Sequence, residues 1–415
     1  MSDKYIILGD VHLGKGLKMG KPGDNGELNS RIKDQIKLLD WTLDRALEHK
    51  AKTIFVTGDV YEDPRPVPAL IRIFMEWVKK CEKSEISVHV LMGNHDLIKS
   101  GAYTVSALDI IPAVELPSTK VYKNVETLHF DKVSFTLVPY RDRRLYDAET
   151  LTEGKEKLFA EFEKEHESVP DGNKKVLIGH LALEGSLYVG DEIEDMSNEL
   201  FCSFHMFSNY DYVWMGHIHN PQVLQQKPRC AHVGSMDRSD FGANELKYDK
   251  IIILIDPDSK EFFKEIIIPT RNLLDIKIEV PDGKDTTDFI INYLHSYDKD
   301  NSLKDAIVRL TIELEGAEIL NMNRKKVHEF ILNNLGAHHI CQTSESRNIS
   351  VVPLKKKVKD EKTGEDIEQD ILIFSNDMSL KTVINTYIDA LELPDDKDRE
   401  SVREFMLDCI QETQK

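Results

Sequence analysis

The chain of 415 residues is too long for one ordinary domain, so two or three are expected. Hydrophobic residues at 40% and charged residues at 31% place it with globular proteins, and no run nears the ~18 apolar residues of a membrane span. With 54 Lys+Arg against 73 Asp+Glu the net charge is −19, which argues against tight, autonomous nucleic-acid binding through a basic surface.

The opening MSDKYIILGD reaches an acidic residue too soon for a secretory leader, so a cytoplasmic location is expected. Short β-rich runs then alternate with amphipathic segments. Strands are expected at Tyr5–Leu8, Thr53–Thr57, Ser87–Met92, Val133–Pro139, Lys175–Ile178, Tyr212–Met215 and Ile251–Ile255, the last closing the domain. Helices are expected at Ile32–His49 and Leu70–Lys83. The alternation predicts an α/β domain over residues 1–270. A small α/β unit follows over 271–352, with strands at Leu274–Val280 and Ala306–Leu314 and helices at Asp288–Ser296 and Asn323–Leu335.

Residues 353–376 contain KKKVKDEKTGEDIEQD, which has almost no apolar content and reads as a solvated linker or a hairpin turning near Thr363–Gly364. Over 377–415, Leu380, Val383, Ile384, Tyr387, Ile388 and Leu391 form one helical stripe, with Ser379 as its N-cap. Val402, Phe405, Met406, Cys409 and Ile410 form a second. Two short helices cannot bury both stripes between themselves, so they dock on the body or in a partner's groove. The five cysteines (Cys81, Cys202, Cys230, Cys341, Cys409) are scattered and lack C-x-x-C spacing, which argues against a disulfide framework or a structural zinc.

Five segments repeat one design, an apolar strand followed by glycine and then ligand-type side chains. They are IILGDVH (Asp10, His12), FVTGD (Asp59), VLMGNHD (Asn94, His95, Asp96), VLIGH (His180) and VWMGHIH (His217, His219). Glycine allows the tight turn as the strand leaves the sheet, and the next side chain projects from the carboxyl end, where open α/β sheets bind ligands. The i, i+2 spacing of Asp10/His12 and of His217/His219 keeps each pair on one side of an extended segment. A single Gly-His after a strand is common; five such segments in one domain point to a shared metal centre. Two aspartates, an asparagine and four histidines suffice for two ions sharing a carboxylate, with His95 left over. Mixed oxygen and imidazole ligation suits Mn, Fe or Zn, and two ions ~3.5–4 Å apart can clamp and polarise a phosphate.

The ordered set resembles the signature of calcineurin-like metallophosphoesterases, whose fold is a sandwich of two mixed sheets flanked by helices. Gly58–Leu70 (GDVYEDPRPVPAL) looks like the GD-x-F-x-x-x-x-P segment of that family's DNA repair nucleases. GSMDRSDFG (Gly234–Gly242) is similar to the GS-x-x-R-x-x-FG loop of SbcD-type nucleases, and the PTRNL passage ending at Leu273 resembles the approach to their small α/β DNA-capping domain. The likeness is specific over residues 5–275.

The resemblance implies a manganese-dependent DNA exonuclease and endonuclease subunit acting at DNA ends in recombination and double-strand break repair. It implies two divalent ions, manganese first, with Mg, Fe or Zn as alternatives. Asp10, His12, Asp59 and His219 would hold one ion, and Asp59, Asn94, His180 and His217 the other, Asp59 bridging. His95 would protonate the leaving 3′-oxygen and Asp96 would orient it. Arg65, Arg141 and Arg238 are candidate substrate contacts, though Arg141, with Arg143 and Arg144, reads equally as salt-bridged surface. A homodimer is expected through helices at Leu70–Lys83 and Tyr103–Ile111, whose apolar residues read equally as core. The C-terminal helix pair corresponds to the docking element for the coiled coils of an SbcC-type ATPase, and the location becomes cytoplasmic or nucleoid-associated. One position departs from the pattern: where family nucleases often carry a histidine three residues after the bridging aspartate, this chain has Glu62, which leaves the balance of exonuclease and endonuclease action open. The alternative activity is hydrolysis of phosphoprotein or small-molecule phosphate esters on the same site.

Overall fold

The computed structural model describes residues 2–24, 26–100, 103–187, 199–281, 284–315, 322–348, 354–359 and 366–371. Strand alternation sets its architecture. Along Lys4–Leu8, Tyr5 and Ile7 join an apolar cluster with Phe135, Ile178 and Trp214, whereas Ile6 and Leu8 join another with Leu39, Phe74 and Trp77. A strand buried on both faces needs a layer on each side. Here one layer is a second sheet and the other is helical.

The first sheet runs Phe263–Ile267, Ile251–Ile255, Lys4–Leu8, Ala51–Val56, Ser87–Leu91, Thr119–Tyr122. Its last four strands are parallel, while Ile251–Ile255 lies antiparallel against both neighbours. The second runs Gln222–Gln226, Arg229–His232, Tyr212–Met215, Lys174–Gly179, Val133–Val138, Glu126–His129, with four parallel strands inside and an antiparallel strand at each edge. This is the expected sandwich of two mixed sheets. Helices α1 (Ser30–His49) and α2 (Pro68–Lys83) cover the first sheet, joined by an indole N–H of Trp77 donating to the Leu39 carbonyl at 2.8 Å. Helix α3 (Leu151–Glu167) packs Leu158 and Phe162 into the core of the second. Among the described residues no helix is long and apolar enough to cross a membrane.

Several expectations change. Phe263–Ile267, not Ile251–Ile255, is the closing strand of the first sheet. Tyr103–Val105 is not helical but pairs antiparallel with Ile98–Ser100; Ser106 then caps a short 3-10 helix at Ala107–Ala113 with a capping box to Asp109. Ser106 is an N-cap residue, so the helix begins there and the residues before it are extended. Leu70, Ile73, Phe74 and Trp77, with Leu108 and Ile111, are buried in the core, and of the apolar residues considered for a dimer only Val105 is exposed.

By packing, the chain divides into two compact units. The first gathers residues 1–278, 287–312 and 323–344, including all but the first residue of helix Thr286–Tyr297 and the helix Arg324–Glu329. The second contains the strands Leu354–Lys359 and Asp366–Ile371, which pair antiparallel with Lys355, Lys357 and Lys359 opposite Asp370, Glu368 and Asp366. The turn expected at Thr363–Gly364 and the helix pair expected over 377–415 lie outside the described residues.

Within the first unit a buried ionic chain ties α1 to later segments. Arg31 reaches Asp34 at 3.0 Å and Asp237 at 2.6 Å, and Arg271 forks onto Asp34 at 2.7 and 2.8 Å. Burial opposes ionisation of Asp34, but hydrogen bonds and charge from Arg271 and Arg31 hold its carboxyl below the ordinary carboxylate range. Asp34→Asn removes the carboxylate that Arg31 and Arg271 share, leaving Arg31 with Asp237 and Arg271 with Asp305, and a loss of ~1.5–3 kcal/mol in urea unfolding is expected at neutral pH. Because the folded carboxyl titrates below its unfolded value of ~3.9, that contribution is complete above about pH 4 and disappears as pH falls through the lower folded value. Wild type and variant should therefore converge in strongly acidic urea melts.

Candidate metal centre

All five motif loops leave the carboxyl ends of parallel strands, three from the first sheet and two from the second. Their turns are unusually tight. His12, Asp59 and His217 adopt left-handed backbone with φ of 47°, 46° and 77°, a conformation that costs a non-glycine residue energy and clusters at functional sites. At Gly93 a Cβ would lie 2.1 Å from Asp59 Oδ1, and at Gly216 one would lie 2.3 Å from Asp10 Oδ1. Any larger residue there would push a candidate ligand out of place.

The loops bring their side chains into two adjoining clusters, Asp10, His12 and His219, then Asp59, His180 and His217, and a third group, His12, Glu62 and His95, overlaps the first. Asp59 stands between them: its Oδ2 is 3.5 Å from His12 Nε2 and 3.3 Å from His180 Nε2. The Asn94 Oδ1 sits 3.0 Å from both His180 Nε2 and His217 Nδ1, and His12 Nε2 faces His219 Nε2 at 2.9 Å. Asp10 is fully buried and is fixed by the Thr57 hydroxyl at 2.9 Å and the His217 backbone N–H at 2.8 Å.

The donor set fits divalent cations. His180 Nδ1 donates to the Thr57 carbonyl at 2.9 Å, so in the neutral ring Nε2 carries a lone pair toward Asp59 and Asn94 oxygen. Carboxylates and ring nitrogens crowded this closely need positive charge among them, supplied by a cation or by protons on the rings. The titration of the site agrees. Burial alone would depress His180, yet Asp59 and Asp10 raise it to about 10. Burial likewise opposes ionisation of Asp59, but His180 holds it well below the usual carboxylate range. Burial, together with the charge of His12, keeps His219 well below the ordinary imidazole value, as a neutral ligand requires.

His95 is half-buried beside this cradle, its ring 5.0 Å from that of His12. Its backbone N–H donates to Asp59 Oδ1 at 2.8 Å and its ring Nδ1 contacts the Glu62 carbonyl at 2.7 Å. The orienting partner expected in Asp96 is thus replaced by that carbonyl. Asp96 instead accepts from the Gly93 and Val60 N–H groups, both at 3.0 Å, and from Tyr61 N–H at 3.3 Å, tying the Asp59 and Asn94 loops together. Burial and the charge of Asp59 push its carboxyl up to about 7.

Of the arginines, Arg65 is exposed on the loop after Glu62. Arg141 is buried and donates to the Tyr140 carbonyl. The Arg238 guanidinium is spent on the Glu245 carbonyl, Asp249 and Thr270, so it holds its own loop. Sequence reasoning missed Glu199, whose Oε1 lies 2.6 Å from His217 Nε2, because no motif marks it. It also missed His232, held between the Gly216 carbonyl and the Ser186 hydroxyl at 2.9 and 2.8 Å.

Manganese titration followed by electron paramagnetic resonance should count two ions in the wild type. Asp59→Ala, which removes the group between the clusters, is expected to lose both, and Asn94→Ala to weaken one. At pH 7.5 the imidazole of His180 is protonated without metal and must lose that proton to bind. Calorimetry in buffers of different ionisation heat should therefore register proton release, and affinity should climb with pH toward about 10.

A family profile described as calcineurin-like phosphoesterase matches residues 4–221. The chain is similar to the DNA double-strand break repair protein Mre11 of Archaeoglobus fulgidus, 25% identical over 291 residues, which cover 66% of this chain and 61% of that protein. It thus spans less than two thirds of that relative. It is also similar to the D component of the SbcCD nuclease of Staphylococcus epidermidis, 23% identical over 296 residues, or 68% of this chain and 73% of that one. Among solved structures, a dimetal phosphatase from Danio rerio aligns over 64% of this chain and 99% of its own, at a TM-score of 0.38 and 10% identity. The profile spans every loop from Asp10 to His219 that builds the cradle, and the chain belongs to the calcineurin-like phosphoesterase family.

Proposed function

We propose that this chain is the nuclease subunit of an SbcCD-like complex, a manganese-dependent exonuclease and endonuclease that hydrolyses phosphodiesters at DNA ends. The observation that carries the reading is the convergence of seven donor side chains on one carboxyl-end cradle, with a further imidazole, His95, at its rim. The named relatives support DNA as the substrate. Two divalent ions in such a cradle supply Lewis acidity toward phosphoryl oxygens and a nucleophile at neutral pH. The cations also answer the net charge of −19, since they place positive charge where the phosphate must sit.

The protein's own part is positional. Asp59 offers Oδ2 to the cradle while its Oδ1 is held by the His95 N–H. His95 keeps a proton on Nδ1 against the Glu62 carbonyl; as imidazolium it carries a second on Nε2, which it passes to the leaving 3′-oxygen before returning to the neutral ring. Glu62 is drawn to His12 at 2.8 Å and Lys15 at 3.2 Å, so its charge is compensated within the protein. Residues 271–352 serve as the DNA-capping region, and residues 377–415 dock on the coiled coils of an SbcC-type ATPase; the working unit is a homodimer.

The second reading is a phosphatase for small esters, favoured by the acidity. End-labelled duplex DNA and p-nitrophenyl phosphate, each assayed with manganese and with or without the ATPase, separate the two. Turnover of the small ester with no DNA cleavage in any context would overturn the nuclease reading. His95→Ala is expected to keep both manganese ions and lose ~10²–10⁴ in cleavage rate. Deleting Ser379–Lys415 is expected to abolish co-purification with the ATPase at unchanged manganese occupancy.

A further inference from the structure

We infer that Glu62 and Glu199 are a matched pair of positioning residues, each setting the proton of one metal-holding histidine on the ring nitrogen that faces away from the ions. The inference rests on the two-ion reading above. His12 presents Nε2 to His219 and Asp59, and its opposite nitrogen, Nδ1, lies 2.8 Å from Glu62 Oε2. His217 is turned the other way. It presents Nδ1 to Asn94, and its Nε2 lies 2.6 Å from Glu199 Oε1. The two imidazoles use different nitrogens toward the cradle, yet both have a carboxylate behind them. His180, between them, hydrogen-bonds a backbone carbonyl there at 2.9 Å, with the cradle's own Asp10 Oδ1 farther off at 3.6 Å.

A carboxylate behind an imidazole does two things. It holds the proton on the rear nitrogen, which leaves the lone pair on the front one, and its charge makes that lone pair a stronger donor. Neither contact has full hydrogen-bond alignment, so the selection is made by charge at short range. The environments differ. Glu199 is 5% exposed, whereas the Glu62 side chain is 36% exposed and shares its charge with Lys15. The same charge acts more strongly where water is excluded, so Glu199 has the larger effect. One carboxylate serves His12 and the other His217, so each cluster has its own. Glu62 thereby acquires a role at a position where relatives often carry histidine: it acts through His12 rather than on the substrate.

The test uses the full chain and manganese alone, with stepwise affinities from calorimetry and occupancy from paramagnetic resonance. In Glu199→Ala one of the two binding steps should weaken by ~10–100-fold while the other stays near wild type. Glu62→Ala should weaken the other step toward the lower end of that range, and the double variant both. Glu199→Gln and Glu62→Gln keep the side chain's size but lose its charge, and should weaken the same step about as far as alanine does. Thermal unfolding in EDTA should be close to wild type throughout. Unchanged affinities in either alanine variant overturn the role of that residue. Equal loss of both steps in each alanine variant with lowered unfolding temperature, or wild-type affinity in the glutamine variants, reduces both to structural groups. A wild type that binds no manganese refutes the metal reading itself and this inference with it.

Discussion

The structure is organised around one electrostatic requirement: buried donor atoms, carboxylates among them, point at each other with too few hydrogens between them. Asp10, Asp59, Asn94 and the front nitrogens of His12, His180 and His217 are held within contact of one another at the meeting of two sheets. In water such a cluster would fly apart. It persists because the surrounding strands fix each loop, and it is tolerable because a cation can sit among the donors. The left-handed backbone at His12, Asp59 and His217 has the same origin, since a relaxed turn would aim those side chains elsewhere.

This requirement explains what was legible in the sequence. The cradle residues follow strands and glycine, so each announces itself locally, and their common direction follows from parallel strands ending on one edge. Groups that act on the ligands from behind carry no local mark. Glu199 follows no strand-glycine motif, and nothing near it in sequence mentions His217. Asp96 follows His95 directly, which suggested a partnership, but its carboxylate is claimed by three backbone N–H groups. Backbone demand outranked proximity. Arg141 is a related case: after a strand it reads equally as a phosphate contact or as salt-bridged surface, and its burial shows in the structure alone.

The fold was legible where burial is two-sided. Lys4–Leu8, Ala51–Val56 and Tyr212–Met215 are near-continuous apolar runs, a pattern set by layers on both faces. Edge strands such as Gln222–Gln226 and Phe263–Ile267 are half-exposed and more polar; the first escaped notice, and of the second only the end leading into PTRNL was legible.

The antiparallel seam between Lys4–Leu8 and Ile251–Ile255 has a temporal meaning. Leu8 finds its partner Ile252 roughly 240 residues later in the chain, and the Asp10 carbonyl waits for the Met236 N–H. On a ribosome adding ~5–20 residues per second, the middle of the first sheet therefore stays open-sided for about 12–50 s. The nascent chain spends that interval with a bare apolar edge, the period in which a chaperone has most to do.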